Sequence, residues 1–212
     1  MSRPRIILAD DHTMVLEGFR KLLEPEVDVV GTASDGESLL KAASRMKPDV
    51  IILDIGMPLL SGMNAGRELK KSMPRTKLVV LTMNEDPDVA REALRQWASA
   101  YLLKKSAGSE LIKAVREVLK NKSYVTPRIA QKLMDEFVRD PRPEHPKQLT
   151  PRQKEVLHLL AEGRTMRETA EVLHLTPRTV AFHEYRIMDE FGLKSTSDLV
   201  RFAIRERLVS PP

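Results

Sequence analysis

The chain contains no cysteine among its 212 residues, which excludes disulfide bonds, thiolate metal sites and cysteine nucleophiles. It also lacks any apolar run that approaches the length of a membrane span. Residues 1–4 lead into a predicted strand, where a signal peptide would have an apolar stretch. We therefore expect a protein without a membrane partner that acts in the cytoplasm, a reducing compartment with which the lack of cysteine is compatible.

The residues that are present allow packed cores, because 42% are hydrophobic and 31% are charged. The length allows one or two domains. A formal net charge of +5 indicates a polyanionic partner only weakly. The basic residues are spread along the chain, so binding to nucleic acid has to be argued from a motif.

The first half alternates short apolar strands with helical patterns. Residues 50–53 are four consecutive branched aliphatics, which is typical of a strand buried on both faces. The predicted strands are 5–9, 27–32, 50–53, 77–81 and 100–103, and the predicted helices are 13–23, 38–46, 61–73, 87–97 and 108–121. This alternation predicts an α/β fold with a five-stranded, doubly wound parallel sheet.

Polar side chains stand where these strands end. Asp10 and Asp11 follow the first strand, Asp54 the third, Thr82 the fourth and Lys104 the fifth. The ends of parallel strands share one edge, where open α/β sheets place their sites. Asp54 by itself could equally start a turn. Clustered carboxylates need a cation, and Mg²⁺ suits an oxygen-ligand set. A carboxylate beside a metal ion, an ammonium and a hydroxyl can accept a phosphoryl group.

Residues 4–122 resemble the receiver domain of a two-component response regulator. The matching segments are Ile7-Leu8-Ala9-Asp10-Asp11-His12, Leu53-Asp54-Ile55-Gly56-Met57-Pro58, Leu81-Thr82-Met83 and Tyr101-Leu102-Leu103-Lys104. The resemblance implies a flavodoxin-like fold in which Asp54 is the phospho-acceptor. It also implies a Mg²⁺ site formed by Asp11 directly, Asp10 through water, Asp54, and the carbonyl of Gly56.

The same resemblance assigns the switch residues. Thr82 would hydrogen-bond the phosphoryl group, and Lys104 would pair with it, a role for which Lys105 is the adjacent alternative. Tyr101 would rotate inward when Thr82 is drawn to the phosphate, although a half-buried strand tyrosine is the ordinary interpretation. Trp97 stands where related sequences carry glycine. We keep two readings of it, an exposed docking anchor and a buried packing residue.

A composition change separates the two halves. Residues 124–134 can form a further helix, and residues 139–146 hold three prolines in eight positions, which predicts an extended tether. We predict a receiver domain over 1–124, a linker over 125–146 and a second domain over 147–212.

The second half is helical throughout. Thr150-Pro151 and Thr176-Pro177 are cap-plus-proline signals that start helices. The predicted helices run from 151 towards Gly163, over 166–173, over 177–191 and over 199–208. A short helix, a tight turn and a longer helix are typical of a helix-turn-helix unit. A protein-docking helical module has the same spacing and remains the alternative.

A second resemblance, over about 149–208, favours a DNA-binding domain over a protein-docking module. The segments are Leu149-Thr150-Pro151-Arg152-Gln153-Lys154-Glu155-Val156-Leu157, Ala161-Glu162-Gly163-Arg164-Thr165, Leu175-Thr176-Pro177-Arg178-Thr179-Val180 and His183. They are similar to the LuxR-type DNA-binding domain, and a receiver followed by this domain is the NarL/FixJ type of response regulator. The chain departs from the usual recognition helix with Ala181, where relatives carry lysine, and Arg186, where they carry asparagine.

The DNA-binding residues follow from this resemblance. Arg178 and Arg186 are the expected base readers, because arginine can bind guanine in bidentate fashion. Phosphate contacts are expected from Arg164, Thr165, Arg178, Thr179 and Lys194. His183 is interpreted as a structural or phosphate-contacting residue and not as a pH switch or metal ligand. The full predicted set is Arg164, Thr165, Thr176, Arg178, Thr179, Phe182, His183, Arg186 and Lys194.

These observations predict a transcription regulator controlled by phosphorylation and not an enzyme. A sensor histidine kinase would supply the phosphoryl group, and the protein would bind DNA as a homodimer, because a single helix-turn-helix unit offers a small contact area. An aspartyl-phosphate hydrolase would need a carboxylate two residues after the nucleophile, where this chain has Gly56.

Overall fold

The computed structural model describes residues 3–58, 62–139, 149–206 and 208–209. Contacts divide the chain into two units, Met1–Glu136 and Phe137–Pro212. The first unit contains β1 (Arg5–Ala9), α1 (Thr13–Leu23), β2 (Asp28–Ala33), α2 (Gly36–Met46), β3 (Val50–Leu53), α3 (Gly62–Ser72), β4 (Lys77–Thr82), α4 (Pro87–Gln96), β5 (Ala100–Leu103), a 3₁₀ turn (Lys104–Ser106), α5 (Ala107–Leu119), β6 (Tyr124–Val125) and most of α6 (Pro127–Arg139).

The sheet of the first unit is parallel, with strand order β2-β1-β3-β4-β5-β6. All four residues of β3 are buried, as expected for a central parallel strand covered by helices on both faces. In the register of the sheet, Leu53 lies opposite Ala9 of β1 and opposite Val80 of β4. Each strand therefore ends at the same edge, and Asp54 follows at its centre.

Within the described part of the chain the sheet has six strands, one more than the five that were predicted. The sixth strand, β6, pairs with β5 by placing Tyr124 opposite Ala100. The Thr126 N–H extends this pairing by donating to the carbonyl of Tyr101 at 3.0 Å. Two residues are too few to show strand alternation, and Pro127 close behind them favoured a helix over the whole segment.

The boundary of the first unit also differs from the prediction. Residues 125–136 were assigned to a linker, yet they belong to the first unit. Ile129 of α6 is fully buried, so this helix is part of the folded unit and not a tether. The extended tether predicted for 139–146 lies outside the described residues from 140 onward, as does the predicted start of α3 at Ser61.

Trp97 settles one of the open alternatives. Its side chain is 3% exposed, which excludes the interpretation of Trp97 as an exposed docking anchor. The indole packs against Gly66 of α3, where an added Cβ would lie 2.7 Å from three ring carbons. Trp97 is therefore a packing residue between the end of α4 and α3.

The second unit contains α7 (Pro151–Ala161), α8 (Met166–Leu173), α9 (Pro177–Phe191) and α10 (Thr196–Arg205). Leu157, Ile187 and Leu199 are fully buried in a core shared by α7, α9 and α10. Each helix begins with a hydroxyl side chain that accepts a backbone N–H, namely Thr150, Thr165, Thr176 and Ser195. The last helix starts at Thr196, three residues before the predicted start, because Ser195 caps it.

None of the described helices combines the length and apolar character needed to cross a membrane.

The Asp198 carboxylate in the first turn of α10 gives a prediction for acid stability. Hydrogen bonds from Arg201, the Ser195 hydroxyl and the Lys194 N–H lower the pKa of Asp198 from 3.8 to about 2. A depressed pKa in the folded state adds stability that is complete above the ordinary pKa and is lost as the pH falls towards 2. Asp198→Asn should therefore remove part of the pH dependence of unfolding in this window.

The measurement is chemical denaturation between pH 5 and pH 2, alongside an NMR titration of the Asp198 carboxyl carbon. The matched control is Ser197→Ala, which changes the same turn without touching these bonds. An NMR pKa at the ordinary value of 3.8 would contradict the prediction.

Candidate phospho-acceptor site and nucleic-acid interface

The centre of the site is a pair of buried carboxylates joined by one ammonium group. Asp10, after β1, is 3% exposed, and Asp54, after β3, is 7% exposed. Lys104 Nζ lies 2.6 Å from Asp10 Oδ2 and 2.8 Å from Asp54 Oδ2. The Gly56 N–H donates to Asp54 Oδ1 at 2.9 Å. Both oxygens of Asp54 are thus held by donors from different parts of the chain.

Lys104, and not Lys105, reaches the carboxylates. Lys105 turns the other way and places Nζ 2.6 Å from Glu85 Oε1. Burial works against the charged form of Lys104, but the hydrogen bonds to Asp10 and Asp54 outweigh it and raise the pKa of Lys104. The ammonium stays charged at neutral pH and offsets the repulsion between the two carboxylates.

Asp11 lies beside this pair and faces His12, for which the sequence predicted no role. His12 Nδ1 is 2.9 Å from Asp11 Oδ1 and 3.2 Å from Asp10 Oδ1, and the His12 N–H donates to Asp10 Oδ1 at 3.0 Å. These three residues offer ligand atoms within 4.8 Å of one another. The signal for His12 was its position directly after the aspartate pair.

The donor set fits a hard cation. Asp10 and Asp11 offer carboxylate oxygens close together, while Asp54 lies across Lys104 from Asp10 and is not part of the group that meets at 4.8 Å. Oxygen ligands of this kind are those that Mg²⁺ prefers, usually with one or two carboxylates and several waters.

The switch residues form a second, adjoining group. Thr82 ends β4 and is 3% exposed. The Asn84 N–H donates to Thr82 Oγ1 at 3.2 Å, and the Tyr101 hydroxyl donates to the Asn84 carbonyl at 3.0 Å. The loop after β4 is therefore held from one side by Thr82 and from the other by Tyr101.

Tyr101 is fully buried, so its interpretation as a half-buried strand tyrosine was wrong. Burial, together with the charges of Asp86 and Asp54, raises the pKa of Tyr101 well above its ordinary value. The hydroxyl remains protonated and available as a donor. In this structure the ring lies inward while Thr82 still accepts the Asn84 N–H, so the coupling of an inward rotation to Thr82 stays a prediction.

Most predicted DNA-binding residues lie at the start of α8 and along α9. Arg164, Thr165, Thr176 and Arg178 are exposed around the two helix N-termini, and Lys194 is exposed just after α9. Thr165 is engaged in a capping box with Glu168, and Thr176 caps α9. Phe182 and Arg186 are half-buried. Helix N-termini with exposed cations suit phosphate oxygens.

Two of the predicted residues are inaccessible in this structure. Thr179 is 2% exposed and shares a hydroxyl contact of 2.9 Å with Thr176, and His183 is 1% exposed. The His183 ring meets the Phe182 ring edge-on at 5.3 Å between centroids. Their contact with DNA stays a prediction that requires the side chains to become accessible.

Comparisons with known proteins follow the same division of the chain. Residues 6–116 match the family described as response regulator receiver domain, and residues 147–203 match the family described as bacterial regulatory proteins, luxR family. The oxygen regulatory protein NreC of Staphylococcus aureus is 35% identical over 214 residues, covering 97% of this chain and 99% of that protein.

Solved structures of RcsB resemble the chain over nearly its whole length. RcsB from Salmonella enterica serovar Typhimurium, bound to promoter P1flhDC in the presence of the phosphomimetic BeF₃⁻, is 29% identical with a TM-score of 0.64, covering 95% of this chain and 98% of that one. A structure of two RcsB dimers bound to two parallel DNAs is 29% identical with a TM-score of 0.65, at the same coverage.

Proposed function

Because the chain belongs to the response regulators of the NarL/FixJ type, in which a receiver domain precedes a LuxR-type DNA-binding domain, we propose that it accepts a phosphoryl group on Asp54 and thereby controls its own binding to DNA. The observation that carries the proposal is the pair of contacts on the Asp54 carboxylate, Lys104 Nζ at 2.8 Å and the Gly56 N–H at 2.9 Å. They present one carboxylate, already beside a cation, at the centre of the sheet edge.

The chemistry that this arrangement supports is phosphoryl transfer from a histidine of a sensor kinase. The bond from phosphorus to the donor nitrogen breaks as a bond to an Asp54 oxygen forms, which yields an acyl phosphate. Lys104 offsets charge on the phosphoryl oxygens, and the Thr82 hydroxyl hydrogen-bonds one of them. Asp10, Asp11, Asp54 and the Gly56 carbonyl would hold Mg²⁺, which when bound neutralises further charge.

Gly56 supports a receiver over a hydrolase that turns over small phosphoesters. Such an enzyme needs a general acid two residues after the nucleophile, and glycine offers none. A Cβ at Gly56 would lie 3.0 Å from Asp54 Oδ2, so the close approach of this loop to the carboxylate also favours glycine. The acyl phosphate is then a stored signal, not an intermediate of turnover.

The output is DNA binding by a homodimer in the cytoplasm. Two observations support it: the RcsB relatives are solved as DNA complexes, one of them with dimers, and Arg164, Arg178 and Lys194 are exposed near the starts of α8 and α9 and just after α9. One such unit has limited contact area, and two units on a two-fold site double it.

The test is a salt titration of DNA affinity with and without acetyl phosphate and Mg²⁺. If Arg164, Arg178 and Lys194 of both copies contact phosphates, the slope of log K against log salt should be about −5, since each contact contributes roughly −0.9. Arg178→Ala should make the slope less steep by about 2, because a dimer loses two contacts. Acetyl phosphate should raise the affinity at every salt concentration.

Lys154→Ala is the matched control, because Lys154 is an exposed cation on α7 outside the predicted DNA surface. It should leave the slope at the wild-type value. A slope near zero for the wild-type protein would instead support the protein-docking alternative for the second domain.

A further inference from the structure

The loop after β4 is tied to two other elements through one carboxylate. Glu85 Oε1 accepts from Lys105 Nζ at 2.6 Å, and Glu85 Oε2 lies 2.8 Å from Arg128 Nε and 3.3 Å from Lys132 Nζ. Lys132 Nζ also donates to the backbone carbonyl of Glu85 at 3.0 Å. Arg128 and Lys132 are one turn apart on α6, so both contact the same residue of the loop, Glu85.

This cluster is unbalanced in charge. Three cations meet a single carboxylate, and the hydrogen bond from Lys105 is the main cause of the lowered pKa of Glu85, which stays ionised. Its side chain is 19% exposed, the least exposed of the four. An isolated surface ion pair contributes little, but a shared carboxylate that separates three like charges is a network whose loss leaves repulsion behind.

Glu85 is also close in the chain to the phospho-acceptor site. Asn84, its neighbour, is held by Thr82 Oγ1 at 3.2 Å and by the Tyr101 hydroxyl at 3.0 Å. Lys105, its partner, directly follows the lysine that contacts Asp54. A displacement of Thr82 towards a phosphoryl group would break its bond to the Asn84 N–H, and Glu85 is the next residue of the same loop.

We propose that Glu85 is a positioning residue of the phosphorylation switch, which holds α6 against the loop after β4 in the unphosphorylated protein and releases it when Asp54 is phosphorylated. This rests on the proposed function for the identity of the trigger. The helix it holds, α6, is the last described element before α7, the first helix of the predicted DNA-binding domain. The state of the acceptor is thereby transmitted to the segment that joins the two domains.

Two further attachments of α6 within the described residues explain why release means loosening and not unfolding. Ile129 is fully buried and anchors the first turn. Further along, Arg91 of α4 pairs with Glu136 as well as with Asp88. Arg128 and Lys132 of the Glu85 cluster flank Ile129 and precede Glu136 on the helix, and this cluster contacts the loop next to Thr82.

The experiment is amide hydrogen exchange of the full-length protein, followed in peptides from residues 127–138, with and without acetyl phosphate and Mg²⁺. In the wild-type protein these peptides should exchange slowly, and roughly fivefold faster after phosphorylation. Glu85→Gln keeps the shape of the side chain but removes its charge. Its α6 peptides should exchange at the fast rate in both conditions, and its unphosphorylated form should bind DNA more tightly than wild type.

Glu117→Gln is the matched control, because Glu117 also contacts two lysines, Lys120 at 3.3 Å and Lys122 at 3.7 Å, but lies on α5 away from the loop. It should behave as wild type. The double variant Arg128→Gln with Lys132→Gln removes the two α6 cations of the cluster. Its α6 peptides should show the same fast exchange as those of Glu85→Gln. Radiolabelling of Asp54 from acetyl phosphate should be normal in all of them.

Wild-type exchange rates for Glu85→Gln in both conditions would overturn the proposal. The proposal would also be overturned if acetyl phosphate labelled Asp54 of the wild-type protein without changing the exchange rate of its α6 peptides. Absence of label on wild-type Asp54 would count against the proposed function alone, because the comparison of unphosphorylated variants still decides whether Glu85 holds α6.

Discussion

The Asp54→Asn variant is expected to take up no covalent phosphate from acetyl phosphate or from a phosphorylated kinase, and to lose all phosphodonor-dependent change in DNA affinity. An amide oxygen is a far weaker nucleophile than a carboxylate and cannot form the acyl phosphate. The fold should survive, because Lys104 keeps its 2.6 Å contact with Asp10 and asparagine occupies nearly the same volume. The readouts are radiolabel incorporation and DNA titration with and without the donor.

Asp49→Asn is the matched control for this experiment. Asp49 precedes the same strand, β3, at its opposite end, where its carboxylate accepts the Arg5 N–H at 2.8 Å. This variant should label and respond as wild type. Label on the Asp54→Asn protein at the wild-type level would show that another residue accepts the phosphoryl group.

The Gly62→Ala variant is expected to lose stability in the first unit by about 3 kcal/mol, at the upper end of the usual cost of overpacking. A Cβ at Gly62 would lie 2.2 Å from the backbone oxygen of Asp54 and 2.5 Å from Ile55 Cα. Both are backbone atoms, so α3 itself has to move away from the end of β3. Phosphoryl uptake should fall as well, because the displaced segment carries Asp54.

Two other glycines of the same unit calibrate this effect. A Cβ at Gly66 would lie 2.7 Å from the Trp97 ring, so Gly66→Ala should also destabilise the unit. The loss should be smaller than for Gly62→Ala, because a side chain can move more easily than the backbone. Gly18→Ala, in the middle of α1, meets nothing within 4 Å and should stabilise by about 0.5–1 kcal/mol, because alanine favours helix. The same glycine-to-alanine change should therefore lower the free energy of unfolding at Gly62 and raise it at Gly18.

Urea denaturation followed by tryptophan fluorescence measures these changes. Trp97 is the single tryptophan of the chain and is buried in the first unit, so it reports that unit separately from the other. Equal midpoints for Gly62→Ala and Gly18→Ala would contradict the prediction.

Local signals in the sequence predicted much of this molecule. The aliphatic run before Asp54 marked the central strand, and residues such as Thr150 and Thr176 marked helix starts, because caps and strand burial depend on near neighbours. Because parallel strands end at the same edge of a sheet, the sequence also predicted that Asp10, Asp54 and Lys104 lie together, and the structure has them in contact.

What the sequence could not predict depends on pairs that are far apart in the chain. β6 exists only because two residues lie beside β5, and Glu85 acquires its role from partners on α6. The pairing of Lys105 with Glu85 is likewise visible only once the turn after β5 directs Lys104 and Lys105 to different partners. The burial of His183 likewise follows from packing and not from helical spacing.

The ion-paired edge of the sheet has a consequence for synthesis of the protein. Asp10 and Asp54 leave the ribosome long before Lys104, the cation that joins them. The parallel pairing of β1 with β3 must likewise wait for distant residues, which makes such sheets slow to form, whereas capped helices rely on local contacts. A nascent chain that ends before residue 104 would hold two facing carboxylates without their ammonium. We expect it to remain open at this edge until β5 arrives and brings the lysine with it.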